Sequence, residues 1–378
     1  MAFQYKLSAP IFGGNELIYT QEAISSGQLA TSGSFIDKFE RKLGRQLKTH
    51  QAVALNSGTS SLHLALVLLG VKAGDEVICQ SFTFCASANP IIYLGATPIF
   101  VDSEKETWNM SPELLEDAIM HRIAHGKKPK AIIVVHLFGM PAKMQEIMEI
   151  AGKYNIPVLE DAAEAVGSTV NDRYCGTMGD IGVYSFNGNK IITSGGGGAL
   201  IANDSSLVEK ARYLSTQARE DLPYYQHLEI GYNYKMNNLA AAVGLAQLEQ
   251  LDEWIEKRRE VNSNYRELLG RIPGIVFQDE PEGVTSNYWL TTILIDDKVT
   301  GFTNDNLRVA LMKNGIETRF LWKPLHMQPV FRKVQFFGGD ISKSLFQKGI
   351  CLPSSADLTY EDQENIVGIV IKELAKTF

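Results

Sequence analysis

Between about residues 50 and 205 the chain alternates short apolar runs with helical patterns, and this alternation constrains the fold more than any other feature. The runs Ala52–Leu55, Glu76–Cys79, Thr97–Val101, Ala131–His136, Pro157–Glu160, Gly182–Ser185 and Gly198–Ala202 are expected to be strands. Strands separated by helices imply an α/β layer on a mostly parallel sheet. Several of these runs end in polar residues. In open α/β sheets, ligands sit beyond the carboxyl ends of the strands.

The segment Ser57–Val71 (SGTSSLHLALVLLGV) places Leu62, Ala65, Leu66 and Leu69 at a helical period and closes on Gly70 and Gly74, which predicts a helix buried along one face. Asn237–Glu260, rich in Ala, Leu, Gln and Glu, predicts one longer helix that bridges into a separate region. Beyond it, charged helices alternate with isolated strands such as Asn287–Ile295. The expected organisation is a large domain with an N-terminal arm over residues 1–250 and a smaller α+β C-terminal domain over 251–378. The large domain would hold a seven-stranded, mostly parallel sheet between helices.

A chain of 378 residues with 45% hydrophobic and 21% charged residues supports cores of that size. Its net charge of −7 argues against nucleic acid as a partner, since neutralising phosphates requires a clustered basic excess. Lys127-Lys128-Pro129-Lys130 reads as a solvated loop. MAFQYKLSAPIFGG has neither a charged n-region nor an apolar h-region, and no apolar run approaches a membrane span, so a cytoplasmic protein is expected. Cys79, Cys85, Cys175 and Cys351 fit neither a CxxC pair nor a disulfide framework and are read as buried thiols. No metal site is expected.

Three features could carry chemistry. Glu160 and Asp161 end an apolar strand, where a buried acid needs a cationic partner. Gly58 and Thr59 open a helix directly after a strand, leaving free N–H groups at the positive end of its dipole, a ready anion site. Lys190 follows the strand Gly182–Ser185 and precedes Gly195–Gly198, where missing Cβ atoms let backbone approach a bulky group. Each feature alone has an ordinary structural explanation. Together they match the needs of pyridoxal 5′-phosphate: a lysine for covalent attachment, an acid at the ring nitrogen and a cradle for the phosphate. Phe84, after the strand Glu76–Cys79, is the candidate aromatic face over the ring.

The sequence resembles the fold-type I pyridoxal phosphate-dependent sugar aminotransferases of the DegT/StrS family. The resemblance is carried by GGNE and GSFIDKFE (Gly13–Glu16, Gly33–Glu40), NSGTSSLHLAL, SFTF, EDAAEAVG, SFNGNKIITSGGGG, STQARE, GYNYKMNNLAAAVGLAQL and GIETRFLWKPLH, in the family order over essentially the whole chain. It implies that Lys190 carries the cofactor, that Asp161 partners the ring nitrogen, that Phe84 stacks on the ring, and that Gly58, Thr59 and Ser185 bind phosphate. Pyridoxamine 5′-phosphate would be the intermediate form. Asn233 in GYNYK matches an asparagine that reaches the neighbouring subunit's cofactor, implying a homodimer with shared active sites. The family usually has Gln or His where this chain has Glu164, near the cofactor's phenolic oxygen, and usually has Arg where this chain has Lys235. Arg219 and Arg319 are candidates for binding carboxylate or diphosphate, and Trp322 and His326 for lining a sugar pocket.

Within the family, SFNGNK, STQARE and ETRFLWKPLH most resemble enzymes that aminate C4 of UDP-4-keto-6-deoxy-N-acetylglucosamine for diacetylbacillosamine, with L-glutamate as donor. Three alternatives stand beside this reading. One is an aminotransferase for a GDP-linked 4-keto sugar of the perosamine type. A second is the dehydratase branch, against which Lys190 counts, because there a histidine replaces it. The third is a non-catalytic regulatory homologue.

Overall fold

The computed structural model describes residues 3–49 and 51–376. All seven expected runs form strands: β1 (Ala52–Leu55), β2 (Glu76–Gln80), β3 (Thr97–Val101), β4 (Ala131–Val135), β5 (Val158–Asp161), β6 (Ile181–Ser185) and β7 (Gly198–Ile201). The small sheet described below is built from β8 (Ile275–Phe277), β9 (Thr291–Ile295), β10 (Arg319–Phe320) and β12 (Gly349–Leu352), while β11 (Phe336–Phe337) pairs elsewhere.

The large sheet has eight strands in the order β1-β7-β6-β5-β4-β2-β3-β11. β7 runs antiparallel to both β1 and β6, and every other pairing is parallel. The eighth strand, β11, comes from the C-terminal part of the chain and extends the expected seven at the edge beside β3. β4 shows why these runs are continuously apolar. Ile132 and Val134 enter one core and Ile133 the other, so a strand covered on both faces has no polar side to display.

Helices α1 (Glu16–Ser25) and α2 (Ser34–Gln46) cover one face together with α4 (Asn238–Glu249). α3 (Gly58–Leu68) lies on the other face. The expectation of a single buried face is corrected here: Ser60, Ser61, His63 and Leu64 are buried as well as Leu62, Ala65 and Leu66. α3 is sandwiched between the sheet and the helices Asn89–Tyr93 and Ser205–Ser215.

The single long helix expected over Asn237–Glu260 is also corrected. The chain breaks at Gln250 (φ −103°, ψ 4°), and α5 (Leu251–Leu269) continues from there. α4 is held by α1 and α2, whereas Val261, Tyr265 and Leu269 of α5 belong to the core of the smaller sheet. Two different packing partners demand two axes.

The small sheet is antiparallel, in the order β8-β9-β12-β10. Helices α6 (Asn304–Lys313) and α7 (Tyr360–Leu374) contribute Leu307, Leu311, Ile366 and Val370 to its core. β9 occupies only the second half of the expected Asn287–Ile295 strand; the residues before it form a buried loop. The N-terminal segment also lies on this region: Tyr5 bridges Ile316, and Ser354 N–H donates to the Leu7 carbonyl at 2.8 Å. No helix among the described residues is long and apolar enough to cross a membrane.

Candidate active site

A cavity of about 490 Å³ opens beyond the carboxyl ends of β4, β5 and β6, against the start of α3. The alternation of side chains along β5 selects which acid enters it. Asp161 faces the cavity. Glu160 points the other way, 2.9 Å from His136 Nε2, and accepts N–H bonds from Gly176 (2.7 Å) and Met178 (2.6 Å). His136 Nδ1 lies 3.1 Å from the Ala142 N, and its Nε2 faces Glu160.

Asp161 is 4% exposed. Ser87 Oγ donates to its Oδ2 at 2.7 Å and Ala163 N–H to its Oδ1 at 3.2 Å. Burial raises its pKa above the ordinary carboxylate value; those two bonds and the nearby Lys190 and His136 oppose the shift. Glu164 follows the same logic. Burial pushes its carboxyl up, while Lys190 and the Phe138 N–H, 2.7 Å from Oε2, pull it down. Phe138 holds that N–H from a left-handed backbone conformation (φ 56°), uncommon for an aromatic residue and of the kind that clusters at functional sites.

Lys190, whose side chain is 14% exposed, lies between two walls. Its Nζ is 3.6 Å from Glu164 Oε1 and 4.0 Å from the centroid of the Trp289 ring. The opposite end of the cavity offers the donors an anion needs. Ser57 caps α3 by accepting the Ser60 N–H at 3.0 Å, while the N–H groups of Gly58 and Thr59, in the first turn, have no intrahelical acceptor. Ser185 at the end of β6 completes this end. A Cβ on Gly58 would come within 3.0 Å of the Ser185 Cβ.

The four glycines after Lys190 divide into two pairs. A Cβ on Gly198 would meet the Ser57 carbonyl at 2.5 Å, and one on Gly197 would meet Ser194 Oγ at 2.2 Å. Gly195 and Gly196 have nothing within 4 Å, so close packing applies to the second pair alone.

A primary amine, a buried carboxylate and a hydroxyl-flanked helix start in one cavity match the chemical needs of pyridoxal phosphate. Phe84 adds an aromatic wall. It is 49% exposed rather than packed in the core, and its ring stands 5.1 Å from that of Trp322. Trp322 lines this cavity and also an adjoining one of about 570 Å³ that shares Thr83, Phe84, Asn189 and Trp289 with it.

Eight sequence-predicted residues therefore come together: Gly58, Thr59, Phe84, Asp161, Glu164, Ser185, Lys190 and Trp322. Four do not line this cavity. Arg319 edges the adjoining one and pairs with Glu317 at 2.7 Å. Arg219 is exposed, with its guanidinium 5.5 Å from the Tyr225 ring. His326 is in a packing position, its Nδ1 2.7 Å from Ser81 Oγ and its ring stacked on Phe336 at 3.8 Å. The side chain of Asn233 is exposed, and only its carbonyl approaches the site, accepting from Asn56 Nδ2 at 3.0 Å.

Lys235, where the family usually has Arg, turns inward to a buried ion pair with Glu40. That carboxylate also takes Arg212 Nη1 at 2.6 Å and the Ala54 N–H at 2.8 Å. Sequence reading missed Ser87 and Trp289. Nothing in ASAN or NYWL marks either, because both meet their partners only through the fold.

Residues 11–371 match the family described as DegT/DnrJ/EryC1/StrS aminotransferase family. The chain is 46% identical over 369 residues to EpsN of Bacillus subtilis (strain 168), covering 97% of this chain and 94% of that protein. It is 40% identical over 352 residues to the GDP-perosamine synthase of Escherichia coli O157:H7, covering 93% of each. Its fold superposes on Helicobacter pylori PseC, an aminotransferase involved in the biosynthesis of pseudoaminic acid, with a TM-score of 0.91 at 26% identity over 100% of both chains.

Proposed function

The chain belongs to the DegT/DnrJ/EryC1/StrS aminotransferase family and is a pyridoxal phosphate-dependent sugar aminotransferase, and on that premise we propose that it moves an amino group from L-glutamate to C4 of UDP-4-keto-6-deoxy-N-acetylglucosamine. The observation that carries the reading is the placement of Lys190 Nζ in one cavity with Asp161, Glu164 and the start of α3. The motifs SFNGNK, STQARE and ETRFLWKPLH support the UDP-linked substrate. A GDP-linked 4-keto sugar is the second reading, favoured by the 40% identity to a GDP-perosamine synthase.

When bound, the cofactor supplies an electron sink for the carbanion at the substrate carbon and carries the amino group between the two substrates. The protein's residues do the rest. Gly58, Thr59 and Ser185 would hold the phosphate through N–H and hydroxyl donors. Asp161, buried and braced by Ser87, would hold a proton at the ring nitrogen. Phe84 would supply an aromatic wall for the ring. Lys190 Nζ would bear the cofactor and, as a free amine, would move the proton at the substrate carbon. Glu164 holds a proton more readily than an ordinary glutamate, and a protonated carboxyl sits beside an anionic oxygen without repulsion. Arg319, at the edge of the adjoining cavity, would bind a carboxylate or diphosphate of the substrate in this reading.

The functional unit is a homodimer in this reading. Asn233 turns away from its own cavity, as a residue serving a partner would. The surface also carries apolar side chains that a monomer would leave in water: Leu17 and Ile18 on α1, and Tyr225, Leu228 and Ile230 in the segment before Asn233, with Leu17 85% and Ile230 87% exposed.

The test is a side-by-side assay of the cofactor-loaded protein with L-glutamate and either the UDP- or the GDP-linked 4-keto-6-deoxy sugar, reading the aminated product by mass. Turnover of the UDP sugar supports the first reading. Turnover of the GDP sugar alone overturns it in favour of the second.

A further inference from the structure

Trp289 arrives from a loop far along the chain and holds the Lys190 segment in two ways. Its indole face lies 4.0 Å from Nζ, and its Nε1–H donates at 2.7 Å to the carbonyl of Asn189, the residue directly before the lysine. Packing alone would bury a tryptophan, and Trp289 is 2% exposed, but packing does not require that both contacts fall on the lysine and the residue before it.

The loop is fixed independently on either side. Trp289 N–H donates to Asn287 Oδ1 at 2.9 Å, and Asn287 Nδ2 donates to the Glu164 carbonyl at 3.1 Å. The Trp289 carbonyl accepts from the buried guanidinium of Arg258 at 2.5 Å; the other arm of that guanidinium holds Ser8 Oγ at 3.0 Å, and Ser8 in turn donates to the Asn189 carbonyl at 2.7 Å. The indole ring, the Glu164 backbone and the Asn189 carbonyl before the lysine are thus tied into one hydrogen-bonded frame.

We propose that Trp289 is a positioning residue for Lys190, whose indole face receives the free ammonium opposite Glu164 and keeps it in the cavity while it is not bonded to the cofactor. The proposal rests on the reading of Lys190 as the cofactor-bearing lysine. An aromatic face stabilises a cation most when both are shielded from water, as here. A lysine that must leave the cofactor and return to move protons otherwise loses its place, because its four-carbon stem is flexible. Glu164 alone, 3.6 Å away, offers a single oxygen contact and no surface for the ammonium to lie against.

The test compares Trp289→Leu with Trp289→Phe. Both variants lose the Nε1–H bond, and only the first loses the face. In the cofactor-free protein, acetylation of Lys190 is read by peptide mass spectrometry relative to the exposed Lys153. We expect Trp289→Leu to acetylate about tenfold faster than wild type and Trp289→Phe within about threefold, because the ring both shields and stabilises the ammonium. In the loaded enzyme, Trp289→Leu lowers kcat about tenfold with the KM for glutamate within about twofold, the pattern of an interaction used only during reaction. Equal acetylation in the two variants overturns the proposal and assigns Trp289 to packing. Should Trp289→Leu fail to fold, Trp289→Met makes the same comparison. If pyridoxal phosphate does not protect wild-type Lys190 from acetylation, the lysine reading itself falls, and this proposal with it.

Discussion

Lys190 Nζ lies 3.6 Å from Glu164 Oε1, a lysine and a glutamate facing each other inside a cavity where both are largely shielded from water. The pair sets the electrostatics of the site. Burial raises the Glu164 pKa above its ordinary value, with Lys190 the strongest opposing influence.

The sign of that shift makes a pH prediction. A carboxyl whose folded pKa is raised is held protonated more tightly by the folded chain than by the unfolded one. The stability this contributes is full below the ordinary glutamate value and is lost as pH rises through the raised one. Glu164→Gln removes this titration, while Asp161, shifted the same way, remains. Melting temperatures of the cofactor-free proteins, compared across roughly pH 4 to 7, are expected to shift in favour of Glu164→Gln as pH rises. Parallel curves would contradict the assignment.

The close approach of β7 to the start of α3 predicts a steric effect. Gly198→Ala drives a Cβ to 2.5 Å from the Ser57 carbonyl, displacing the anion end of the cavity. It should cost about 1–3 kcal/mol in urea unfolding and weaken cofactor retention. Gly188→Ala, with nothing within 4 Å, should stay within about 0.5 kcal/mol. Equal effects would show that the packing at β7 is not what shapes the cradle.

The proposed homodimer, with each site shared between subunits, predicts complementation. Lys190→Ala and Asn233→Ala should each be inactive alone. A mixed dimer would carry one site with an intact Lys190 from one subunit and an intact Asn233 from the other. Random reassortment makes half the dimers mixed, so mixing equal amounts should restore about a quarter of wild-type activity. No recovery after subunit exchange, verified by tagged chains, would place Asn233 in its own subunit's structure alone.

The sequence displays the sheet plainly for a physical reason. Strands covered on both faces must be continuously apolar, and AIIVV of β4 cannot hide. Asp161 and the start of α3 are legible because each stands at a strand end or a helix start, and Lys190 because it lies between a strand end and a run of glycines. Features set by tertiary partners were not. The break at Gln250 lies in a run of good helix formers, and only the competing demands of two cores bend it. Lys235 stands where the family usually has Arg, and nothing local shows that it pairs with Glu40, far earlier in the chain. His326 sat in a motif beside Trp322, but its ring is turned onto Phe336 instead of into the cavity. Trp289 carries no local signal, since its two contacts to the lysine segment exist only after the small sheet has docked.

The most direct measurement is the site of covalent attachment. Pyridoxal phosphate bound to the purified protein is fixed with borohydride, and the digest is mapped by mass spectrometry. The account predicts the reduced cofactor on the peptide containing Lys190 and its loss, with the fold retained, in Lys190→Ala. Attachment at another lysine, or no attachment to a folded protein supplied with the cofactor, would contradict it.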